Sequence, residues 1–442
     1  MKKTKGKQPM ISFIGMILGL LLFVVLAFKG FNLILSAVAS SCLMFVFSGI
    51  SILDGLKEFY LPGLAGFLQS YFLLFFLSAL MGKLMSDGGN AKKIALSLSG
   101  LIKKSKNNQK FFCVLLVPVL YFILCYVGIS GFVVVFTVLP IAKTIYEETD
   151  TPWRLYCCAG AQTVSAAYLA GSIQAGNVYA TDICGTTTMA GWKLSIVAVV
   201  TFWAVSLVFL WTMLKITQKK GEAFLPSGEG IRMANLDEGL SEDCLPGLLP
   251  SILPLAVVLV LSAGFQVYVV KALFAGCILT VITGHKNLLP KLKTSLSQGI
   301  TAAYGPILSV SATYAIGAVV KNIEGFTYFQ NMLSALPHLM SGSLMGLLAA
   351  FIMASVAAPI PAFGSHMLDQ YTLAGLSAGN AHRMMMLTSF TSIAPHNAGI
   401  PNAAAVLRMP YAECLKMYMM STYIPGFITL FVSILCIKMG IV

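Results

Sequence analysis

Gly171-Ser172-Ile173-Gln174-Ala175-Gly176-Asn177 interrupts an apolar stretch in the first half of the chain, and Ala394-Pro395-His396-Asn397-Ala398-Gly399-Ile400-Pro401-Asn402 interrupts another in the second half. These segments are called break 1 and break 2 below. Hydrocarbon cannot hydrogen-bond a backbone, so a broken helix at membrane depth needs protein or a watery cavity beside it. Paired breaks at corresponding places of two halves are the best sequence indication of a transporter's substrate site. The pattern therefore predicts a secondary transporter.

The composition is that of a multi-pass membrane protein. Of the 442 residues, 57% are hydrophobic and 10% are charged, whereas about a quarter of the residues of a soluble domain are charged. Some apolar runs approach the roughly 20 residues that span a bilayer and others are too short. The short pairs indicate hairpins that turn back inside the membrane. We expect the protein to lie in the inner (cytoplasmic) membrane, in contact with the lipid bilayer.

The apolar runs predict an all-α polytopic fold with two inverted-topology repeats, each with a re-entrant hairpin and a broken helix. An odd number of crossings in each half is what would invert the repeats. The predicted parts are a first repeat at 1–214 with its hairpin at about 111–146 and its broken helix at about 155–190, a hydrophilic cytoplasmic linker at 215–246, and a second repeat at 247–442 with its hairpin at about 342–375 and its broken helix at about 384–405.

The net charge of +13 does not predict nucleic-acid binding, because the basic residues lie between apolar runs and not on one face. Under the positive-inside rule they mark cytoplasmic segments. In this topology the lysine-rich N-terminus faces outward, which conflicts with the rule. The segments assigned to the cytoplasmic side are 86–110, 143–154, 215–246, 285–293 and 403–416.

Motifs for other chemistries are weak or missing from the sequence. The ten cysteines are scattered without metal-ligand spacing, so we expect neither a disulfide framework nor a metal site. No Walker or dinucleotide motif occurs in the sequence, so nothing indicates ATP-driven transport, and no cofactor is expected. Gly128-Ile129-Ser130-Gly131 matches a nucleophile pattern of intramembrane serine proteases, but no suitable base accompanies it. We predict that the chain is not an enzyme.

The breaks and hairpin turns supply the candidate substrate-binding residues. Backbone N–H groups at the start of a half-helix attract a small organic anion, with the helix dipole behind them. For a single Ser or Gly, helix packing is the plainer interpretation. The candidates are Ser130, Gly131, Gly171, Ser172, Gln174, Asn177, Ser365, Thr391, Ser392, His396, Asn397 and Asn402.

Proton coupling has two candidate sites. His396 in break 2 could accept a proton, or it could serve as a structural side chain that binds freed carbonyls. His366 and Asp369 lie three residues apart and so on one helical face. The remaining histidines, His285, His338 and His382, fall in connectors and are expected to be solvated.

Several stretches resemble the gluconate permease (GntP) family. These are the run 79–95 around Asp87-Gly88-Gly89, the block that starts at Gly131, and Pro395-His396-Asn397. The resemblance covers the chain in order and implies proton-coupled import of gluconate or related hydroxy acids, on an inverted-repeat fold that is commonly dimeric. Break 1 lacks the Pro and His of sugar-acid members, so the chain is more similar to the hydroxybutyrate-type members.

These observations predict a proton symporter for a small hydroxy- or short-chain carboxylate. Neither break contains Arg or Lys, which favours a monocarboxylate over a polyanion. The main alternative is a sodium-coupled transporter or an ion/proton antiporter of the same superfamily, since Ser, Thr and Asn side chains with freed carbonyls can also hold Na⁺. An intramembrane serine protease is the remote alternative.

Overall fold

The computed structural model describes residues 7–29, 31–104, 108–126, 131–172, 174–233, 244–261, 265, 267–333, 336–357, 359–397 and 399–442. Within these ranges the regular structure is entirely helical, as predicted. Helices satisfy every backbone group within one segment, which lipid requires.

The first half contains eleven helices within the described ranges. A 3₁₀ segment, Trp153–Ala161, leads directly into α8. The helices are α1 (Lys7–Phe28), α2 (Leu33–Phe47), α3 (Ile52–Gly55), α4 (Leu61–Asp87), α5 (Asn90–Lys104), α6 (Gln109–Tyr126), α7 (Gly131–Glu148), α8 (Gln162–Tyr168), α9 (Ala175–Cys184), α10 (Trp192–Lys219) and α11 (Glu229–Met233).

The second half contains ten helices within the described ranges. Here one 3₁₀ segment, Leu289–Lys291, lies between α14 and α15, and another, Thr388–Ser392, follows α19. The helices are α12 (Leu248–Leu259), α13 (Val269–Thr283), α14 (His285–Leu288), α15 (Leu292–Asn322), α16 (Glu324–Leu333), α17 (His338–Met353), α18 (Pro359–Leu373), α19 (Ala378–Leu387), α20 (Gly399–Leu407) and α21 (Tyr411–Lys438).

Five helices in the described part of the chain are long and apolar enough to cross a membrane. The segments Val270–Thr283 and His285–Gly305, bent by 84° at a short break, make a sixth span if they are counted together. The protein is therefore a multi-pass membrane protein.

The two halves meet along α4 and α15, which run antiparallel. Tyr60, before the start of α4, donates its hydroxyl to Ala312 O near the end of α15, at 3.2 Å. At the other end Ser295 Oγ donates to Asp87 Oδ2 at 2.6 Å. Gly63 lies so close to α15 that a Cβ there would overlap Ala318, and such small residues allow membrane helices to approach.

The order of elements in α4–α10 recurs in α15–α21: a long helix, a short helix, two hairpin arms, a helix joined to a 3₁₀ segment, a short helix and a long final helix. If α4 and α15 are equivalent, their antiparallel directions are those of halves related by an axis in the membrane plane. This agrees with inverted repeats, which stay a prediction.

The segments assigned to the cytoplasmic side contact one another in the structure. Ion pairs there join Lys291 to Asp87, Arg154 to Glu222 and Arg232 to Glu147. The amphipathic stretch after Asp87-Gly88-Gly89 forms the helix α5. The basic segments therefore share one side of the molecule, while Gly325 N is bonded at the other side by Ser12 Oγ of α1.

Candidate functional site

Break 1 separates α8 from α9 by a stretch of non-helical backbone. Gly171 adopts φ +86°, a left-handed conformation that glycine reaches without steric cost. Its N–H donates to Thr188 O at 2.9 Å. The preceding Ala170 N–H donates to Ser195 Oγ at 2.7 Å. The N–H groups that the break frees are thus bonded to the 185–195 region.

The tip of the first hairpin holds break 1 from the other side. Tyr126, at the end of α6, donates its hydroxyl to Ala170 O at 3.1 Å. Ser172 Oγ donates to Tyr126 O at 3.3 Å, and Asn177 Nδ2 donates to Ser172 O. Two predicted binding residues, Ser172 and Asn177, therefore stabilise the break itself.

Break 2 is held by its own hairpin in the same way. His396 Nε2 bonds Ile352 O at 2.9 Å, and Asn397 Nδ2 bonds Ala354 O at 2.9 Å. Asn397 Oδ1 accepts the Gly399 N–H at 2.7 Å, which caps the start of α20. The side chains of break 2 join it to the end of α17.

The surroundings of His396 favour its structural interpretation. A carbonyl can only accept, so the Nε2 that faces Ile352 O carries a proton. The ring packs edge-on against Phe23 and Phe351, with centroid distances of 6.4 and 5.8 Å. Its Nδ1 is buried without a hydrogen-bond partner among the described residues. This nitrogen is the part of His396 that is left for a proton or a ligand.

The other predicted site residues lie at separate places around the two breaks and their hairpins. Gln174 Nε2 donates to Thr163 O at 3.0 Å, and Thr391 Oγ1 donates to Leu347 O. Ser392 and Asn402 are buried, Gly131 begins α7, His366 is half-buried, and Ser365 and Asp369 are exposed on α18. Exposure means that Ser365 and Asp369 do not pack into a break. Ser130 lies outside the described residues.

Each short helix after a break lies against a hairpin arm of the other half: α9 packs on α18, and α20 packs on α7. Gly176 of α9 comes so close to the second hairpin turn that a Cβ there would lie 3.1 Å from Val356 O. Each break is thus bonded to the hairpin of its own half, and the helix that follows it packs against the hairpin of the other half.

A buried pair on α19, His382 and Arg383, belongs to this region. The prediction that His382 is solvated is wrong, because its side chain is fully buried, whereas His285 and His338 are exposed as expected. His382 Nε2 lies 2.8 Å from Asn177 Oδ1. The second half thereby contacts break 1 directly.

Arg383 joins the same cluster and is 1% exposed. Its Nη2 donates to Thr188 O at 2.9 Å, the carbonyl that also accepts from Gly171. Its Nη1 lies 3.5 Å from Tyr168 O at the end of α8. The sequence signal for this residue is a cation followed at once by the apolar run Met384–Leu387 within one helix, since charged residues inside membrane segments are usually functional.

A cavity of about 640 Å³ opens toward the basic side and reaches break 2 at Pro395. Its walls include the charged residues Arg154, Glu413 and Lys416 and the apolar residues Met419 and Met420. Tyr411, at the start of α21, donates its hydroxyl to Pro395 O. The cavity thus leads from the charged surface to the backbone of break 2.

Comparisons with known proteins find relatives that match most of the chain. Residues 9–378 match the GntP family permeases. The chain is also 25% identical over 451 aligned positions to the protein called "Uncharacterized transporter YxjC" of Bacillus subtilis (strain 168), an alignment that covers 90% of this chain and 93% of that relative.

Proposed function

Because the chain belongs to the GntP family of permeases, we propose that it is a secondary active transporter that imports a small hydroxy- or short-chain carboxylate, similar to 3-hydroxybutyrate or gluconate, by proton symport. The family match is what supports the transporter function. The substrate class and the coupling ion are the part that we propose.

The arrangement of the two breaks is the observation that supports the proposal. Each break is bonded to the hairpin of its own half, through Tyr126 in the first and through Ile352 and Ala354 in the second. The helices after the breaks lie against the opposite hairpins. A shift of one half against the other changes the surroundings of both breaks together, which is what alternating access requires.

A small monocarboxylate fits the chemistry of the breaks. The dipoles of the half-helices that start after the breaks favour an anion, and neither break carries a cation of its own. In the proposed complex Gln174, Asn177 and Asn397 exchange their present backbone partners for the hydroxyl groups of the substrate. The cavity at Pro395 is the approach from the basic side, which we assign to the cytoplasm.

The coupling proton has candidate sites that differ in exposure. His396 is buried with Nδ1 unbonded in the described part of the chain. On α18, His366 is half-buried and Asp369 is exposed. The unbonded Nδ1 beside break 2 makes His396 the candidate that we propose for the proton, and His382 is a further imidazole in contact with break 1. A homodimer in the inner membrane stays a prediction from the family resemblance.

Uptake into proteoliposomes tests the proposal. The reconstituted protein receives labelled 3-hydroxybutyrate or gluconate under an inward proton gradient without sodium. Accumulation above equilibrium that a protonophore abolishes is the expected result. Accumulation that requires a sodium gradient would favour the sodium-coupled alternative, and failure to accumulate either label would refute the substrate class. His396→Ala is expected to lose uptake, and His285→Ala, at an exposed imidazole, is the matched control.

A further inference from the structure

Arg383 brings a positive charge from the second half to the backbone of break 1. Its Nη2 shares Thr188 O with the Gly171 N–H, and its Nη1 points to Tyr168 O, just before the break. Break 1 has no cation in its own sequence, so the fold supplies one.

No carboxylate in the described part of the chain neutralises this charge. The groups that contact the guanidinium there are two backbone carbonyls and the His382 ring. Two other arginines differ in this respect, since Arg154 pairs with Glu222 and Arg232 with Glu147. Removing an arginine that is 1% exposed from water without a counter-charge is costly. A bound anion would offset this cost.

One edge of the guanidinium is left with an unused donor. Arg383 Nε is buried without a hydrogen-bond partner among the described residues, and the neighbouring Nη2 faces His382 Nε2 at 2.9 Å. Arg154 shows how the same edge binds a carboxylate, because its Nε and Nη2 donate to the two oxygens of Glu222 at 2.7 and 2.8 Å. This two-pronged contact is the strong form of carboxylate recognition.

The contact between Arg383 and His382 is a poor one in its present form. Asn177 Nδ2 is bonded to Ser172 O, so Asn177 Oδ1 faces His382 Nε2. Nε2 can satisfy only one of its two neighbours. With a proton it donates to Asn177 Oδ1 and opposes Arg383 Nη2, which can only donate, and without a proton it accepts from Nη2 and opposes Asn177 Oδ1. Movement of Nη2 toward a carboxylate would relieve this conflict.

We propose that Arg383 binds the carboxylate group of the transported substrate through its Nε–Nη2 edge, beside break 1, and so determines the specificity for anions. This rests on the proposed function. In this structure the edge is buried, and Gly191 packs closely on Gly379 and on Cγ of Arg383. The proposal requires a rearrangement around Arg383 that lets the substrate reach this edge.

Competition between a carboxylate and its neutral amide tests the proposal. Wild-type protein, Arg383→Gln, Arg383→Lys and the control Arg232→Gln are reconstituted, and uptake of labelled 3-hydroxybutyrate is measured with unlabelled 3-hydroxybutyrate or 3-hydroxybutyramide as competitor. Arg232 is 59% exposed and pairs with Glu147. We expect Arg383→Gln to weaken the apparent carboxylate affinity by about 10- to 150-fold, the range for a lost hydrogen bond to a charged group, and to remove the preference over the amide.

Arg383→Lys keeps the charge without the planar edge, so its affinity is expected to fall about tenfold. Thermal melting in detergent shows whether each variant is folded. If the glutamine variant does not fold, the affinity of the lysine variant tests the role of Arg383. If folded Arg383→Gln binds the carboxylate as tightly and as selectively as the wild-type protein does, or if Arg383→Lys keeps the wild-type affinity, the proposed role of Arg383 is wrong. The proposed function would still be supported in that case, because the wild-type protein itself takes up the substrate. Absence of uptake by the wild-type protein would refute the proposed function, and this inference with it.

Discussion

Replacement of Asn397 by Ala would remove the connection between break 2 and its hairpin. The side chain makes three hydrogen bonds, to Ala354 O at 2.9 Å, to Ser392 O at 2.6 Å and from Gly399 N at 2.7 Å. Hydrogen bonds in membrane proteins average about 0.6 kcal/mol, and typical ones in soluble proteins reach about 1.5. Three such bonds predict a loss of about 2 to 4.5 kcal/mol in the free energy of unfolding. We expect folded protein with a lower melting temperature and little or no uptake.

The measurement combines thermal melting in detergent with uptake into proteoliposomes. Asn322→Ala is the matched control, because that exposed side chain makes one bond, to Ala318 O at 2.8 Å, and surface changes stay within about 0.5 kcal/mol. Asn397→Asp keeps the acceptor for Gly399 N but sets a carboxylate oxygen against the carbonyls of Ala354 and Ser392, so it should melt no higher than Asn397→Ala. An Asn397→Ala protein that melts with the Asn322→Ala control and transports normally would refute the structural role given to this residue.

Two further predictions test how the halves are packed. Gly191→Ala should lower the melting temperature and slow uptake, because Gly191 has φ +63° and a Cβ there would overlap Gly379 O. Gly185→Ala is the control, since Gly185 has φ +59° with open space around it, and it should show only the conformational cost of about 1 kcal/mol. Equal effects of the two substitutions would contradict the packing argument. Oxidation by iodine should join Cys157 to Cys414, whose sulfurs lie 3.6 Å apart, and block uptake until a reductant is added; equal inhibition of Cys414→Ser would show that another site is responsible.

The breaks could be predicted from sequence because their cause is local. Polar and small residues inside apolar stretches are costly in lipid unless they bond something, and Ser172, Asn177, His396 and Asn397 do bond freed backbone groups. Their partners could not be predicted in the same way. Ile352 and Ala354 are ordinary apolar residues in sequence, and only the hairpin fold brings their carbonyls to break 2.

His382 and Arg383 were missed for a related reason. The predicted broken helix begins at about 384, so both residues fell in the connector, among small and polar neighbours from Ala378 onward. In the structure α19 already begins at Ala378, which carries them into the buried part. Their bonds go to Asn177 and Thr188 in the other half, and no local pattern records a contact across so much of the chain.

The two breaks share one hydrogen bond and differ in another. The difference shows which break contacts the other half through its asparagine. Asn177 and Asn397 each donate Nδ2 to the carbonyl of a serine five residues earlier, Ser172 and Ser392. The oxygen of Asn397 accepts from Gly399 N within break 2, whereas the oxygen of Asn177 lies 2.8 Å from His382 Nε2 of the other half. The Asn397 amide is therefore bonded within its own half, while the Asn177 amide also contacts the other half, so relative motion of the halves would disturb break 1. A substrate that replaces this contact would bind and be released as the halves move. We therefore expect substrate binding to be coupled to that motion at break 1, beside the unpaired charge of Arg383.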